Sequence, residues 1–348
     1  MIYLVNFSVA VFVLVIAIIL FKNKITMKEA IIQFAVQLLI VCIVGWASYH
    51  NDLADREILN SVVTNKTKDK VSCSHSYTCN CITRCSSTGK SGTSCSTHCQ
   101  TCYEHSYDID WNIHNEIGTS FTIDRIDRRG LDEPPRWTSV KAGDPTAQTH
   151  KYENYIKADA QSLFKKEFNE DQLKRFPKYP DKIYDYYKLN RVIQDKNYVN
   201  WQNDISLLNS RIGRVKQANL VVVLSSKSDS YADDLEIAWS GAKKNDIVLL
   251  LGTDGTNIGW ARVIGIGVNE ELKVFLRNNV VSYGKLDNGL LPIIENTIVE
   301  KFKRIPMSKF EYLKENYKPS KTAWIISLLI TIACSVGLSY YFKETDNF

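Results

Sequence analysis

Apolar residues crowd the two ends of the chain. Residues 2–21 (IYLVNFSVAVFVLVIAIILF) are uninterrupted by charge, and about twenty such residues let a helix cross a bilayer. Residues 30–48 (AIIQFAVQLLIVCIVGWAS) and 322–342 (TAWIISLLITIACSVGLSYYF) repeat the pattern. Aromatic residues at the ends of these runs, among them Tyr3, Phe21, Trp46, Trp324 and Tyr341, suit a membrane interface. Three transmembrane helices are therefore expected. Gln33 and Gln37 stand one turn apart in the second run, and this spacing predicts a polar face that hydrogen-bonds to another helix. The spans carry too few polar residues for a transport pathway.

Between the ends the periodicity changes twice. Residues 107–114 (YDIDWNIH) and 120–127 (SFTIDRID) alternate apolar and polar positions around a turn with Gly118, predicting a β-hairpin. From residue 201 onward, Trp201, Ile205, Leu208, Ile212 and Val215 recur at helical spacing. Continuous apolar runs follow at 218–226 and 246–252, then 260–267, separated by helical stretches at 231–240, 270–281 and 290–302. Alternating buried strands and helices predict an α/β sandwich.

Domain organisation follows: two spans in 1–49, a cysteine-rich β module in 50–155, a linker in 156–187, an α/β domain in 188–318 and a last span in 322–342. Lys22, Lys24 and Lys28 place the short first loop in the cytoplasm, so the long central segment is expected outside it. A net charge of +5 spread along 348 residues gives no footprint for nucleic acid.

Seven of the nine cysteines fall in one stretch: Cys73, Cys79, Cys81, Cys85, Cys95, Cys99 and Cys102. Outside the cytoplasm disulfides are the default, and an odd count leaves one thiol unpaired, joined to a second copy, or bound to metal. The competing reading is zinc: Cys79-x-Cys81 and Cys99-x-x-Cys102 are short ligand pairs, with His75, His98 and His105 nearby. His75-Ser76-Tyr77 is echoed by His105-Ser106-Tyr107, which suggests two paired strands framing the cross-linked loop. Asp108 and Asp110 read as a solvated strand face, with cation binding as the alternative.

The order ANLVVVL, Tyr231-Ala232 opening a helix, WSGAKKND, IVLLLG, ARVIGIG and Asp287-Asn288-Gly289 resembles the TPM domain family. The likeness covers about a third of the chain. It implies an α/β sandwich held outside the cytoplasm by a membrane anchor. It also implies divalent-cation binding (calcium or magnesium) or a weak phosphatase activity, carried onto Asp246, Asp254 and Asp287. The chain has Asn245-Asp246-Ile247 where the family often has Asp-Asn-Gly. The segments HSYTCNC, CYEHSYDIDW and EPPRWTSVKAGDP resemble uncharacterised membrane proteins of bacteria and their large phages.

No nucleophile elbow, HExxH pair, Walker loop or dinucleotide fingerprint occurs. The α/β segment has no histidine for proton transfer. The expectation is a multi-pass membrane protein with a large extracytoplasmic part, acting as a binding or assembly factor. Its partners would be the bilayer, other envelope proteins, or a second copy of the chain. A divalent-metal phosphatase is the alternative.

Overall fold

The computed structural model describes residues 26–345 except 88–92, 119, 160–167, 182, 184–188 and 319, with short pieces between 8 and 20. Two described helices are long and apolar enough to cross a membrane: α1 (Met27–Leu53), and 321–342 of a C-terminal helix described below. The span expected at 2–21 lies largely outside the described residues, so two such helices stand where three were expected.

Helix α1 opens on a capping box, in which Thr26 and Glu29 satisfy each other's backbone N–H groups. It runs without a loop into the 18-residue strand β1 (Ala54–Val71). The chain then forms the hairpin β2 (Ser76–Ser87) and β3 (Thr93–Tyr103), followed by β4 (Asp108–Asn115), β5 (Ser120–Ile123), a short helix α2 (Pro135–Ser139) and β6 (Pro145–Glu153). The first sheet has the antiparallel order β5-β4-β1-β6. Ile109, Trp111, Ile113 and Ile123 build its small core with Val63 and Val140. Trp111 meets Trp137 edge to face at 4.8 Å.

After a one-turn helix α3 (Glu170–Leu173) comes the second layer system. Its elements are β7 (Val192–Gln194), α4 (Gln202–Lys216), β8 (Asn219–Ser225), α5 (Ser230–Ala238), β9 (Asp246–Thr253), β10 (Ile258–Ile264), α6 (Glu270–Tyr283) and α7 (Leu290–Lys301), and the C-terminal helix α8 (Lys321–Thr345) follows it. Strands β7, β8 and β9 are parallel and β10 is antiparallel at the edge. Every residue of β8 and β9 is buried, as a sheet covered on both faces requires. Helices α4, α6 and α7 cover one face through Ile205, Ile212, Leu276 and Ile294. Helix α5 covers the other through Leu235, beside Trp239. The three-layer arrangement follows the strand and helix order expected from the sequence.

The two membrane-length helices pack on each other. Gln33 donates to the Ser335 carbonyl at 3.2 Å and also to the Ser335 and Ser339 hydroxyls, so its polar face meets another helix as expected. Gln37 is fully buried, and its side chain has no hydrogen-bond partner among the described residues. At the domain end of the pair, Tyr317 donates to Asp52 at 2.7 Å, tying the approach to α8 to the end of α1.

Candidate metal centre

Six of the seven clustered cysteines pair across the hairpin as nested disulfides: Cys79–Cys102, Cys81–Cys99 and Cys85–Cys95. Among the described residues the hairpin is narrow, has no apolar core of its own, and is mostly exposed. A two-stranded ribbon of that kind is marginal in water. In the chain-entropy model, closing a loop of this size contributes about 3 kcal/mol. The crosslinks thus supply what burial cannot.

Cys73 remains outside this ladder, as a free and buried thiol. It sits in the short link Ser72–His75 that carries β1 into β2. The return link, Glu104–Tyr107, carries β3 into β4. Glu104 N–H donates to the His75 carbonyl at 3.1 Å, so the two links lie side by side. On them stand Cys73 and His75, then His105, with Asp108 as the first residue of β4. One ligand-type atom from each of the four lies within 4.8 Å of all the others.

The local geometry is specific. Cys73 Sγ lies 3.6 Å from His105 Nδ1. His105 Nδ1 lies 3.6 Å from Asp108 Oδ1, and His75 Nδ1 lies 3.8 Å from Asp108 Oδ2. The backbone N–H of His75 points at the Cys73 sulfur from 3.4 Å, and the thiol lies 3.5 Å from the His75 carbonyl oxygen. Asp108 is fully buried. Its Oδ2 accepts from Ser74 N–H at 2.8 Å, from the Ser74 hydroxyl at 3.1 Å and from Arg125 at 2.8 Å. The Ser74 N–H leads in holding the Asp108 carboxyl well below the usual carboxylate range. Burial opposes it, and the Ser74 hydroxyl and Arg125 reinforce it. Oδ1 has no hydrogen-bond partner among the described residues. The two imidazoles are about a quarter to a third exposed, at 26% and 30%, which leaves a route to the centre.

The expectation of a solvated strand face at Asp108 is therefore corrected. The residue is buried because the two links fold over the start of β4. Asp110, two residues on, is half-buried and bonded to Arg125 at 2.6 Å. His98 stands exposed on β3 opposite Ile82, away from the cluster. The two histidines of the repeated His-Ser-Tyr are the ones that converge.

The three aspartates singled out in the α/β domain do not come together as a set. Asp246 and Asp254 lie at opposite ends of β9. Asp246 is 1% exposed and accepts from Asn219 at 2.8 Å and from the Tyr179 hydroxyl. Burial, then the Glu57 and Asp55 charges, push its carboxyl well above the ordinary range. Asp254 is exposed and caps its own turn, accepting from the N–H groups of Asn257 and Thr256 at 2.7 and 2.8 Å. Those two backbone bonds pull it down to about 2. Asp287 accepts from Tyr283 at 2.6 Å and from Gly289 N–H at 2.9 Å.

No protein-family model matches the chain, and neither a curated protein nor a solved structure is detectably similar to it. What the geometry defines is a mixed α/β protein with two membrane-length helices, a disulfide-laddered hairpin and a four-residue cluster of metal-ligand type. The disulfides indicate an oxidising, extracytoplasmic setting for that part of the chain.

Proposed function

We propose that the chain is a multi-pass membrane protein that presents its large central part outside the cytoplasm and works there as a binding and assembly factor. One observation carries this reading: α1 passes directly into β1, and β1 leads to the base of the disulfide-laddered hairpin. The bilayer helix, the sheet and the hairpin lie along one hydrogen-bonded path. At about 3.3 Å per residue, β1 alone provides roughly 60 Å of strand. The hairpin carries Tyr77, Ile82 and Tyr103 more than half exposed, at 52%, 61% and 57%. Exposed aromatic and aliphatic residues on a rigid element suit recognition of another envelope protein or of a second copy.

Membrane orientation belongs to the same reading. The lysines at 22, 24 and 28 support a first loop inside, and the disulfides support a hairpin outside. The TPM-like order of strands and helices is carried as the scaffold that supports the first sheet, with Asp246 as a buried structural group.

The test is photocrosslinking in intact cells, with a photoreactive amino acid placed at Tyr77, Ile82 and Tyr103. Discrete adducts to an envelope protein or to a second copy are expected. Absence of adducts at all three positions, with the probe shown to be incorporated, would overturn the binding reading. A membrane-impermeant reagent that labels the C-terminus but not the hairpin would overturn the orientation.

A further inference from the structure

We propose that Cys73, His75, His105 and Asp108 bind one zinc ion in a closed tetrahedral site, which locks the base of the hairpin to the sheet. The first support is the donor set. One sulfur, two imidazole nitrogens and one carboxylate oxygen make four ligands, the number a structural zinc site takes. A soft sulfur with two imidazoles does not suit calcium or magnesium, which take oxygen donors. Ionised Cys73 and Asp108 together match the charge of a divalent ion.

The second support is distance. With Zn–S of about 2.3 Å and Zn–N of about 2.05 Å, tetrahedral geometry separates the sulfur and nitrogen by roughly 3.6 Å. Cys73 Sγ and His105 Nδ1 are 3.6 Å apart. With Zn–O of about 2.0–2.2 Å the nitrogen-to-oxygen edge is roughly 3.3–3.5 Å. His105 Nδ1 and Asp108 Oδ1 are 3.6 Å apart. An N–H···O hydrogen bond closes to about 2.7–3.2 Å. The imidazole therefore stands too far from the carboxylate for a good hydrogen bond, at a separation that suits two ligands on one ion.

The third support is the unpartnered oxygen. Asp108 is fully buried and one of its two oxygens is anchored three times, by the Ser74 N–H, the Ser74 hydroxyl and Arg125. The other, Oδ1, is left without a hydrogen bond among the described residues and faces His105. A buried carboxylate oxygen without a donor is costly, and a cation at the centre of the cluster removes that cost. Ser74 and Arg125 then act as the outer groups that orient a metal-bound carboxylate.

The odd cysteine count is explained in the same way. Six cysteines form the ladder, and Cys73 sits buried at its foot, turned toward two histidines. A zinc-bound thiolate is held as a ligand rather than as a partner for oxidation. Two ligands come from the inbound link, one from the return link and one from β4. The ion would thus fasten both legs of the hairpin to the sheet, as a fourth crosslink that a chelator can open.

The test uses the full chain in detergent, purified under non-reducing conditions in zinc-supplemented medium and then desalted. Elemental analysis should find one zinc per chain. Cys73→Ser and Asp108→Asn should each lose the metal, and His98→Ala should keep it. Cys73 should resist a maleimide until a chelator is added. If either variant fails to fold, the wild type still decides the matter. Cobalt replacing zinc should give a thiolate-to-cobalt charge-transfer band and the intense visible bands of a tetrahedral ion. Wild-type protein with no zinc and no such cobalt spectrum would overturn the proposal. So would zinc retained in full by both ligand variants.

Discussion

Asn60 on β1 donates its side-chain N–H to Oδ1 of Asn219 at the start of β8, 2.9 Å away, and both side chains are buried. This bond joins the first sheet to the second. Asn245 adds to it by donating to the Ile58 carbonyl at 2.6 Å. Helix α4 closes over the same point. A Cβ added at Gly213 would lie 2.5 Å from the Asn60 carbonyl oxygen and 2.7 Å from its Cβ.

Two substitutions test that junction. Asn60→Ala leaves a buried acceptor unpaired and should destabilise the outer part by about 1–3 kcal/mol. Gly213→Ala forces α4 away from β1 and should cost about 1–3 kcal/mol through overpacking. Denaturant melts followed by tryptophan fluorescence would measure both. An unchanged midpoint in either variant would show that the two sheets do not depend on this contact.

Asp246 makes stability depend on pH. Its carboxyl, ordinarily near 3.8, is raised by burial and by the Glu57 and Asp55 charges. The folded state therefore holds that proton to higher pH than the unfolded chain does. Its contribution is complete below the unfolded value and is lost as pH rises through the folded one. Asp55 has the opposite sign. Burial pushes it up, but the Lys243 and Asn154 hydrogen bonds and the Lys243 and Lys157 charges hold it below 3.8, so its contribution is lost only on acidification. The thermal midpoint should fall as pH is raised from about 4, each unit of pKa elevation being worth about 1.4 kcal/mol. Asp246→Asn should remove that fall and raise the midpoint at neutral pH. A variant less stable than wild type at neutral pH would refute the assignment.

Much of this was legible in the sequence. Unbroken apolar runs marked β8 and β9 because a sheet covered on both faces leaves no polar side. The period-2 segments at 107–127 marked β4 and β5 for the converse reason. Disulfides were the expected default for the cluster, and three pairs form. The metal-type cluster was harder to read. Cys73 looks like its six neighbours until the hairpin of β2 and β3 brings those six together in pairs. Asp108 alternates like a surface residue, and only the fold of two short links over β4 buries it. The echo of His-Ser-Tyr was the available signal, since it placed equivalent histidines on the two links.

The disulfide ladder predicts a division of stability. The hairpin lies outside the apolar cores, which are built from the two sheets and their helices. Replacing Cys85 and Cys95 together by Ser should make the outer hairpin open to protease, while the cooperative melt of the α/β domain stays within about 0.5 kcal/mol of wild type. Non-reducing peptide mapping of the wild type should recover Cys79–Cys102, Cys81–Cys99 and Cys85–Cys95, and no disulfide to Cys73. A recovered disulfide involving Cys73 would contradict the pairing.

Gln33 bonds to Ser335 and Ser339 between α1 and α8, and all three side chains are buried. Such bonds between membrane helices are worth about 0.6 kcal/mol on average and up to about 1.7. A double-mutant cycle with Gln33→Leu and Ser335→Ala, read from unfolding in a mixed micelle, should give a coupling energy in that range. The Ser339→Ala cycle should give a smaller one, because its 3.3 Å contact is the longer. Additive effects at both pairs would mean that the Ser335 and Ser339 hydroxyls contribute no bond to Gln33, leaving packing and the Ser335 carbonyl contact to join α1 and α8.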